Sequence, residues 1–372
     1  MSTSKPSRPP LHTSTAGNRG TAVGDNSGAV ITGNHNQVDQ RTVVLPPGAL
    51  RAAVADGSVA RVTNLPALDS EVFRGREEAL ARLAALPADG TGLVAQTVRG
   101  MGGVGKSTLA LHHAHRFYDR GGGPVWWLDA ERQEQVTAGL AQLAAALAPV
   151  YAKLPLEDAA QWVVTWLQGR TGWLLVLDNV EDPAGLRDLL GRLHTGQVLI
   201  TTRRDLPCRT LGTVVRLDTL SPRDSLAVLQ DLTDRHRADD APVLAQLAAE
   251  LGHLPLALQQ AGAYLAQTRT PPATYLEWLR TAPARALDPA APGDPHQRTI
   301  TRLWDLTLRA LDRTNPDAVA LLRILADRAP EPLPRDVLTP ALPDPHAVDQ
   351  ALGLLAAYSL ITLTQTTVTV HP

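Results

Sequence analysis

An eight-residue run in the first third of the chain has the composition and spacing of a phosphate-binding loop. Gly100-Met101-Gly102-Gly103-Val104-Gly105-Lys106-Ser107 matches the pattern G-x-x-x-x-G-K-[ST]. Glycines let the backbone curl so that successive N–H groups point at phosphate oxygens, and the start of a helix adds a favourable dipole. We expect Lys106 to contact the β- and γ-phosphates, Ser107 to ligate Mg²⁺ and Thr108 to lie near the α-phosphate. The motif therefore predicts a site for ATP or ADP with Mg²⁺.

A second polar group follows the apolar run Leu174-Leu175-Val176-Leu177. A carboxylate at the end of a buried parallel strand lies where open α/β sheets bind ligands, so we expect Asp178 to hold Mg²⁺ through its water shell. Asn179 stands where many ATPases have a second acid that polarises the attacking water. An amide cannot accept a proton, so the sequence predicts slow hydrolysis unless Glu181 or Asp182 takes that part.

A third polar group ends the run Val198-Leu199-Ile200. Two hydroxyls and a cation follow this apolar strand, as Thr201, Thr202 and Arg203. We expect Arg203 to reach a γ-phosphate from the neighbouring strand and one of the two threonines to sense it by a hydrogen bond. Lys106, Asp178 and Arg203 are thus the candidate catalytic residues.

Alternating apolar patterns predict the elements that must position these groups. Short strands alternate with helices over residues 66–220, which favours a doubly wound parallel sheet, the α/β fold of a P-loop NTPase. The strands are expected near 93–98, 125–128, 173–177, 197–202 and 214–217, and the helices near 77–86, 106–118, 132–148, 157–168 and 183–193.

The short apolar runs that predict strands are absent after Ser221 and occur again only at the end of the chain. Residues 221–290 are predicted to form a small helical domain, and residues 296–372 a winged-helix domain closed by a two-stranded hairpin. The Pro- and Ala-rich stretch 282–295 and residues 39–68 are expected to be linkers. The helices are expected near 221–234, 241–251, 254–267, 273–280, 299–312, 315–328, 334–340 and 346–357, and the hairpin strands at 360–363 and 367–370.

Composition limits the class of protein. The 372 residues carry 35 Lys and Arg against 37 Asp and Glu, which argues against a strongly basic nucleic-acid binder. The single cysteine, Cys208, excludes an internal disulfide, so a reducing cytoplasm is the expected location. The sequence contains no apolar run of about 18 residues and no signal peptide at its N-terminus, so no membrane association is expected.

Taken together, these motifs resemble the NB-ARC ATPases, a branch of the STAND class of signalling NTPases. The phosphate loop, the strand ending at Asp178 and the Thr-Thr-Arg triplet carry the resemblance. Three further segments are similar to motifs of that family. They are Val72-Phe73-Arg74-Gly75-Arg76-Glu77, Gly252-His253-Leu254-Pro255-Leu256-Ala257-Leu258, and Tyr358-Ser359-Leu360-Ile361 with the closing Val370-His371.

The resemblance implies further nucleotide contacts. The segment containing Phe73, Arg74 and Arg76 would cover the adenine. Pro255, followed by Leu256, would pack on the same base, and His371 would contact the β-phosphate of bound ADP. The chain departs from the family at Arg74, which replaces a small apolar residue, at Asn179, and in the last motif, where only His371 matches.

The family resemblance also implies a function. ADP would hold the domains closed, and exchange for ATP would release the winged helix and allow homo-oligomers to form. We expect a slow regulatory ATPase in a bacterial NLR-like receptor of antiviral defence or regulated cell death, whose unknown trigger is sensed by C-terminal repeats that are missing from this chain. One alternative is a transcription regulator whose winged helix binds DNA, although 334–357 is poor in Lys and Arg. Another is an AAA-like motor, for which no pore-loop signature is visible.

Residues 1–65 form a distinct, low-complexity tail in which residues 1–20 are expected to be disordered. Residues 21–38, TAVGDNSGAVITGNHNQV, combine low charge, β-branched residues and Gly-Asn turns. They resemble the short amyloid-forming signalling motifs at the N-termini of some bacterial NLR-like receptors, which implies a fibre that templates a downstream effector. The alternative is a plain flexible linker.

A synthetic peptide of residues 16–40 separates these two interpretations. If the segment is an amyloid motif, the peptide forms fibres that bind thioflavin T and give the spacings of cross-β diffraction, about 4.7 Å and about 10 Å. A peptide that stays monomeric and shows neither signal is a linker.

Overall fold

The computed structural model describes residues 61–68, 72–85, 93–182, 185–203, 213–281, 295–327, 333–342 and 344–370. Segment 21–38 and His371 lie outside these ranges, so the amyloid prediction and the predicted histidine contact are not addressed by the structure.

A five-stranded parallel sheet organises the N-terminal half, as the sequence predicts. Its strands are β1 (Val94–Arg99), β2 (Val125–Asp129), β3 (Leu174–Asp178), β4 (Gln197–Thr202) and β5 (Thr213–Arg216). They lie in the order β2-β3-β4-β1-β5, so that β1 has neighbours on both sides and all carboxyl ends share one edge. This order places the phosphate loop, which follows β1, beside the ends of β3 and β4.

Helices cover both faces of the sheet, because its central strands are apolar on both sides. Leu175 and Leu177 of β3 belong to one core, and Leu174 and Val176 belong to the other. The helices are α1 (Glu77–Ala84), α2 (Lys106–Asp119), α3 (Gln133–Leu147), α4 (Leu156–Gln168) and α5 (Arg187–Arg192), with a 3-10 turn at Pro149–Lys153 that the sequence did not predict.

Residues 61–66 lie along the free edge of β2. Thr63 pairs in parallel with Val125, whose N–H donates to the carbonyl oxygen of Val62 at 3.0 Å. Asn64 Nδ2 donates to the carbonyl oxygen of Trp127 at 2.8 Å, and the Trp127 N–H donates back to Asn64 Oδ1 at 2.6 Å. The prediction of a linker over 39–68, with the tail ending at residue 65, is therefore wrong for these residues, because unpaired groups of an edge strand bind them.

The C-terminal half consists mostly of helices that share one apolar core, from Leu220 to Val370. The sequence predicts two separate domains here, whereas buried side chains from both belong to this single cluster. The helices are α6 (Pro222–Thr233), α7 (Ala241–Glu250), α8 (Pro255–Thr268), α9 (Pro272–Thr281), α10 (Pro295–Thr314), α11 (Pro316–Ala326) and α12 (Pro345–Ala357).

The end of the chain differs from its prediction in two details. Residues 335–341 form a 3-10 helix rather than an α-helix, with Pro340 inside it, where proline removes a helical hydrogen bond. The closing hairpin gains a third strand, because β6 (Leu333–Pro334) pairs with β8 (Thr367–Val370), which also pairs with β7 (Ile361–Leu363).

None of the helices in the described ranges is both long enough and apolar enough to cross a lipid bilayer.

The turn into β4 offers a test of the fold. Gly196 has φ +75°, and a Cβ there would lie 2.2 Å from the buried Trp173 ring. Gly196→Ala is expected to lower the free energy of unfolding by at least about 2 kcal/mol, since strain and overpacking add.

Gly191, in α5, is the matched control, because a Cβ there meets nothing within 4 Å. Gly191→Ala is expected to be neutral or to stabilise by about 0.5–1 kcal/mol. Equal thermal or urea midpoints for the two variants would contradict this account of the turn.

Candidate nucleotide-binding site

The phosphate loop adopts a conformation that depends on glycine. Gly103 and Gly105 have φ +73° and +90°, in the left-handed region where a side chain is strained. At Gly100 a Cβ would lie 2.4 Å from the carbonyl oxygen of Leu217, so the loop is pressed against the segment after β5. By contrast, a Cβ at Gly102 would meet nothing within 4 Å, which leaves open space on that side of the loop.

Lys106 begins α2 and curls back over the loop. Its Nζ donates to the carbonyl oxygens of Gly100 at 2.9 Å and Met101 at 2.8 Å. The side chain is only 8% exposed. Burial, reinforced by the positive charge of Arg203 and opposed by Asp178, lowers the pKa of Lys106 to about 8.

Two groups from elsewhere in the chain hold two further loop carbonyls. The Arg76 guanidinium donates to the carbonyl oxygen of Val104 at 2.9 Å. The N–H of Leu256 donates to the carbonyl oxygen of Gly103 at 3.2 Å. Among the described residues, none accepts a hydrogen bond from the backbone N–H groups of residues 101–105. Four carbonyl oxygens of the loop are therefore engaged, and its N–H donors are available to an anion.

Asp178 forms the centre of a hydrogen-bond cluster beside the loop. Its Oδ1 accepts from Ser107 Oγ at 2.8 Å and from Thr201 Oγ1, while the Asn179 N–H donates to Thr201 Oγ1 at 2.9 Å. Burial and the neighbouring Asp129 raise the pKa of Asp178, and the hydroxyl donors oppose that shift. The two predicted Mg²⁺ ligands, Ser107 and Asp178, are thus already in contact.

The two threonines at the end of β4 have different roles. Thr201 reaches Asp178, whereas Thr202 is 1% exposed and its hydroxyl donates to the carbonyl oxygen of Val180 at 2.7 Å. The prediction that Thr202 binds the nucleotide is not supported, because side chains alternate along a strand and Thr201 occupies the site face. Arg203 follows on the exposed surface, near enough to Lys106 to affect its pKa.

The residues predicted to cover the adenine make the following protein contacts, and their role at the adenine stays a prediction. Phe73 stacks on His112 of α2, with ring centroids 3.7 Å apart. Arg74 forms an ion pair with Asp231 of α6. Arg76 holds the phosphate loop, and burial lowers its pKa against the opposing charges of Asp218 and Asp224.

Pro255 lies at the start of α8, close to the phosphate loop. A Cβ placed on Gly105 would be 4.0 Å from Pro255 Cγ. With the bond from Leu256 to Gly103, this contact brings the first turn of α8 directly against the loop. The helical part of the chain therefore touches the phosphate-binding segment itself.

Asp129 is a further carboxylate at the site, and the sequence motifs did not predict it. It ends β2 and lies in register with Asp178 on β3. Its oxygens accept hydrogen bonds from the Glu131 N–H at 3.2 Å and from Gln135 Nε2 at 3.3 Å. The detectable signal was the apolar run Val125–Leu128, which ends in aspartate just as β3 does.

Comparisons with known proteins place this geometry in context. No protein-family model matches the chain. An NLR-like protein from Hyaloscypha variabilis is 27% identical over 337 residues, covering 80% of this chain and 34% of its own length. The regulatory protein AfsR of Streptomyces coelicolor is 29% identical over 304 residues, covering 77% of this chain and 30% of its own. The chain thus spans about a third of the length of the curated relatives it matches.

A solved structure agrees with the fold. The STAND protein with a tetratricopeptide repeat sensor from Pyrococcus horikoshii superimposes with a TM-score of 0.53 at 17% identity, covering 84% of this chain and 42% of that one. The chain therefore has the α/β fold of a P-loop NTPase.

The depressed pKa of Lys106 predicts a pH dependence of ADP binding. Phosphate groups favour the charged lysine and raise its pKa, so binding takes up a proton once the pH exceeds about 8. Affinity is therefore expected to fall by about tenfold or more between pH 7.5 and 9.5, a range in which the ADP phosphates stay fully ionised.

Lys106→Met is the control, and its weaker binding should lose this pH dependence. Titrations of a fluorescent ADP at each pH measure both proteins. A flat wild-type profile, or the same fall in Lys106→Met, would exclude Lys106 as the titrating group.

Proposed function

We propose that this chain is the nucleotide-dependent switch of an NLR-like signalling protein of the NB-ARC branch, closed with ADP and open with ATP. The proposal depends on one observation, the arrangement of hydrogen-bond donors at the phosphate loop. Its N–H groups at residues 101–105 have no described acceptor, while Lys106 and the Ser107–Asp178 pair flank them. This arrangement suits a polyphosphate better than any other ligand class.

The donor set also fits Mg²⁺. No cluster of three or more His, Cys, Asp or Glu side chains occurs within the ranges the structure describes. Mg²⁺ at nucleotide sites typically uses one or two protein oxygens, phosphate oxygens and water, so Ser107 and Asp178 suffice. When bound, the ion would neutralise charge on the β- and γ-phosphates. Lys106 would exchange the loop carbonyls for phosphate oxygens, and Arg203 would approach from the end of β4.

Slow hydrolysis is part of the proposal. Asn179 cannot accept a proton from an attacking water, and its N–H is bound to Thr201. Glu181, Asp182 and Asp129 are the nearby acids, and Asp129 is already engaged by Gln135 and the Glu131 N–H. A slow step suits a switch, because the ATP state must outlive assembly.

The contacts between the phosphate loop and α8 supply the coupling that a switch requires. Moving a two-state equilibrium from 1:99 to 99:1 takes about 5.5 kcal/mol of differential affinity, and hydrogen bonds to charged groups contribute about 1.5–3 kcal/mol each. Two or three that differ between ADP and ATP would suffice. The proposed contacts of Arg203 and His371 are candidates, and the neutral backbone bond from Leu256 to Gly103 would add about 0.5–1.5 kcal/mol. The Arg74–Asp231 pair is half exposed and adds at most about 1 kcal/mol.

We assign residues 296–372 to a winged helix as part of this proposal. Four helical segments support the assignment, with β6 between the second and the third of them and with β7 and β8 after the last; the three strands form the antiparallel sheet β6-β8-β7. In this interpretation the closing segment after β8 would bring His371 to the nucleotide, and ATP would release it. Release would expose surfaces for a homo-oligomer, and segment 21–38 would then pass the signal to an effector in defence or cell death.

A transcription regulator is the second candidate, favoured by the likeness to AfsR, which is named a regulatory protein. In a DNA-binding winged helix, the recognition helix carries basic side chains. Here α12 contains no Lys or Arg, and Arg335, at the start of the preceding 3-10 helix, is paired with Asp349 of α12. Salt-sensitive binding to duplex DNA would favour this candidate.

Mass photometry of the chain with ADP, and then with a non-hydrolysable ATP analogue, tests the switch. The proposal predicts monomers with ADP and a larger species with the analogue. Lys106→Ala is the control and should stay monomeric in both. Monomers under every condition would contradict the switch.

Steady-state turnover tests the second part of the proposal. A switch should hydrolyse ATP well below about 10 per second, the median for enzymes. Rapid turnover that Lys106→Ala abolishes would point to a metabolic or motor ATPase instead.

A further inference from the structure

A cavity lies at the opposite edge of the sheet from the phosphate loop. It encloses about 160 Å³ between the ends of α1 and α2 and the amino end of β4, where Gln197 lies. A cavity of about 150 Å³ accommodates a molecule of the size of benzene. Its apolar walls include Leu80, Leu83 and Phe117.

Among the described residues, the polar walls of this cavity carry positive charge and no acid. Arg116 and Arg120, one turn apart on and just after α2, both line it. Within the described part of the chain, neither guanidinium has a hydrogen bond or an ion pair with another group. Two unpaired cations beside an apolar wall form an environment that favours an anion with an apolar body.

His113 supplies an unsatisfied polar atom on the same wall. The residue is only 5% exposed, and its Nε2 is buried with no hydrogen-bond partner among the described residues. Burial, with the charges of Arg120 and Arg116, lowers the pKa of His113 to about 4, so the ring is neutral at physiological pH. A neutral imidazole can donate one N–H, and buried polar atoms of folded proteins nearly always have a partner.

We propose that this cavity binds a small organic carboxylate, with its apolar body against Leu80, Leu83 and Phe117 and its carboxylate between Arg116 and Arg120. Planar guanidinium groups match carboxylate oxygens in geometry as well as in charge. His113 would complete the set as a donor. The site is independent of the proposed nucleotide function, although both sites contact α2, which presents Lys106 at its other end.

Calorimetric titration of the ADP-loaded chain with benzoate tests the site. Benzoate matches the cavity in size and carries one carboxylate. We expect saturable binding that is at least tenfold weaker for the double variant Arg116→Gln/Arg120→Gln. Arg82→Gln, which removes a charge from α1 without touching the cavity, should bind as the wild type does. Thermal unfolding of each variant verifies that it is folded.

A further comparison identifies the ligand class. Benzyl alcohol, the neutral analogue, should bind to the ADP-loaded chain at least tenfold more weakly than benzoate. The proposal is overturned by the absence of saturable binding at millimolar concentrations, by equal binding of the alcohol, or by binding of inorganic phosphate alone.

Discussion

The backbone carbonyls of the phosphate loop impose the constraint on which the rest of the site depends. Carbonyl oxygens that are bonded to other groups leave the N–H groups of the loop to face an anion. Here Lys106 holds two of them, Arg76 holds that of Val104, and the N–H of Leu256 holds that of Gly103. Three separate parts of the sequence thus fix one short turn, and two of these lie outside the strand–loop–helix motif.

The same hydrogen bonds connect the phosphate loop to the helical part of the chain. Leu256 begins α8, whose buried face belongs to the core that runs from Leu220 to Val370. In the proposed switch, a ligand that moves the loop would move the acceptor of the Leu256 N–H, which would couple phosphate binding to the position of α8. Asp178 connects the other side of the loop to the sheet, because Ser107 beside the loop and Thr201 of β4 donate to the same carboxylate oxygen. The loop is therefore held from both sides.

The sequence predicted the sheet well because its signals are local. Glycine spacing marks the loop, and apolar runs that end in Asp178 or Thr201 mark strands that are buried on both faces. Boundaries agreed within a few residues for most helices. The errors have tertiary causes. Residues 61–66 pair with the edge of β2 through backbone groups, which leave no side-chain pattern.

The roles of individual site residues were harder to predict, since they depend on distant partners. Arg76, which was expected at the adenine, bonds to the carbonyl oxygen of Val104, and Arg74 pairs with Asp231, which lies far along the chain. Only one of Thr201 and Thr202 can face the site, because successive side chains of β4 point to opposite faces of the sheet. A run of apolar residues that is buried on both faces does not indicate which one. Asp129 was visible in the sequence as a strand-ending acid, yet only the pairing of β2 with β3 placed it beside Asp178.

The rate at which bound ADP leaves the protein tests most directly whether the hydrogen bond from Arg76 to the Val104 carbonyl holds the phosphate loop in its binding conformation. Stopped-flow release of a fluorescent ADP should be at least tenfold faster for Arg76→Met than for the wild type, because a buried bond to a charged group contributes about 1.5–3 kcal/mol. Arg74→Met, on the same segment but paired with Asp231, should change the rate much less. Unchanged release from Arg76→Met, or equal acceleration in both variants, would contradict the account.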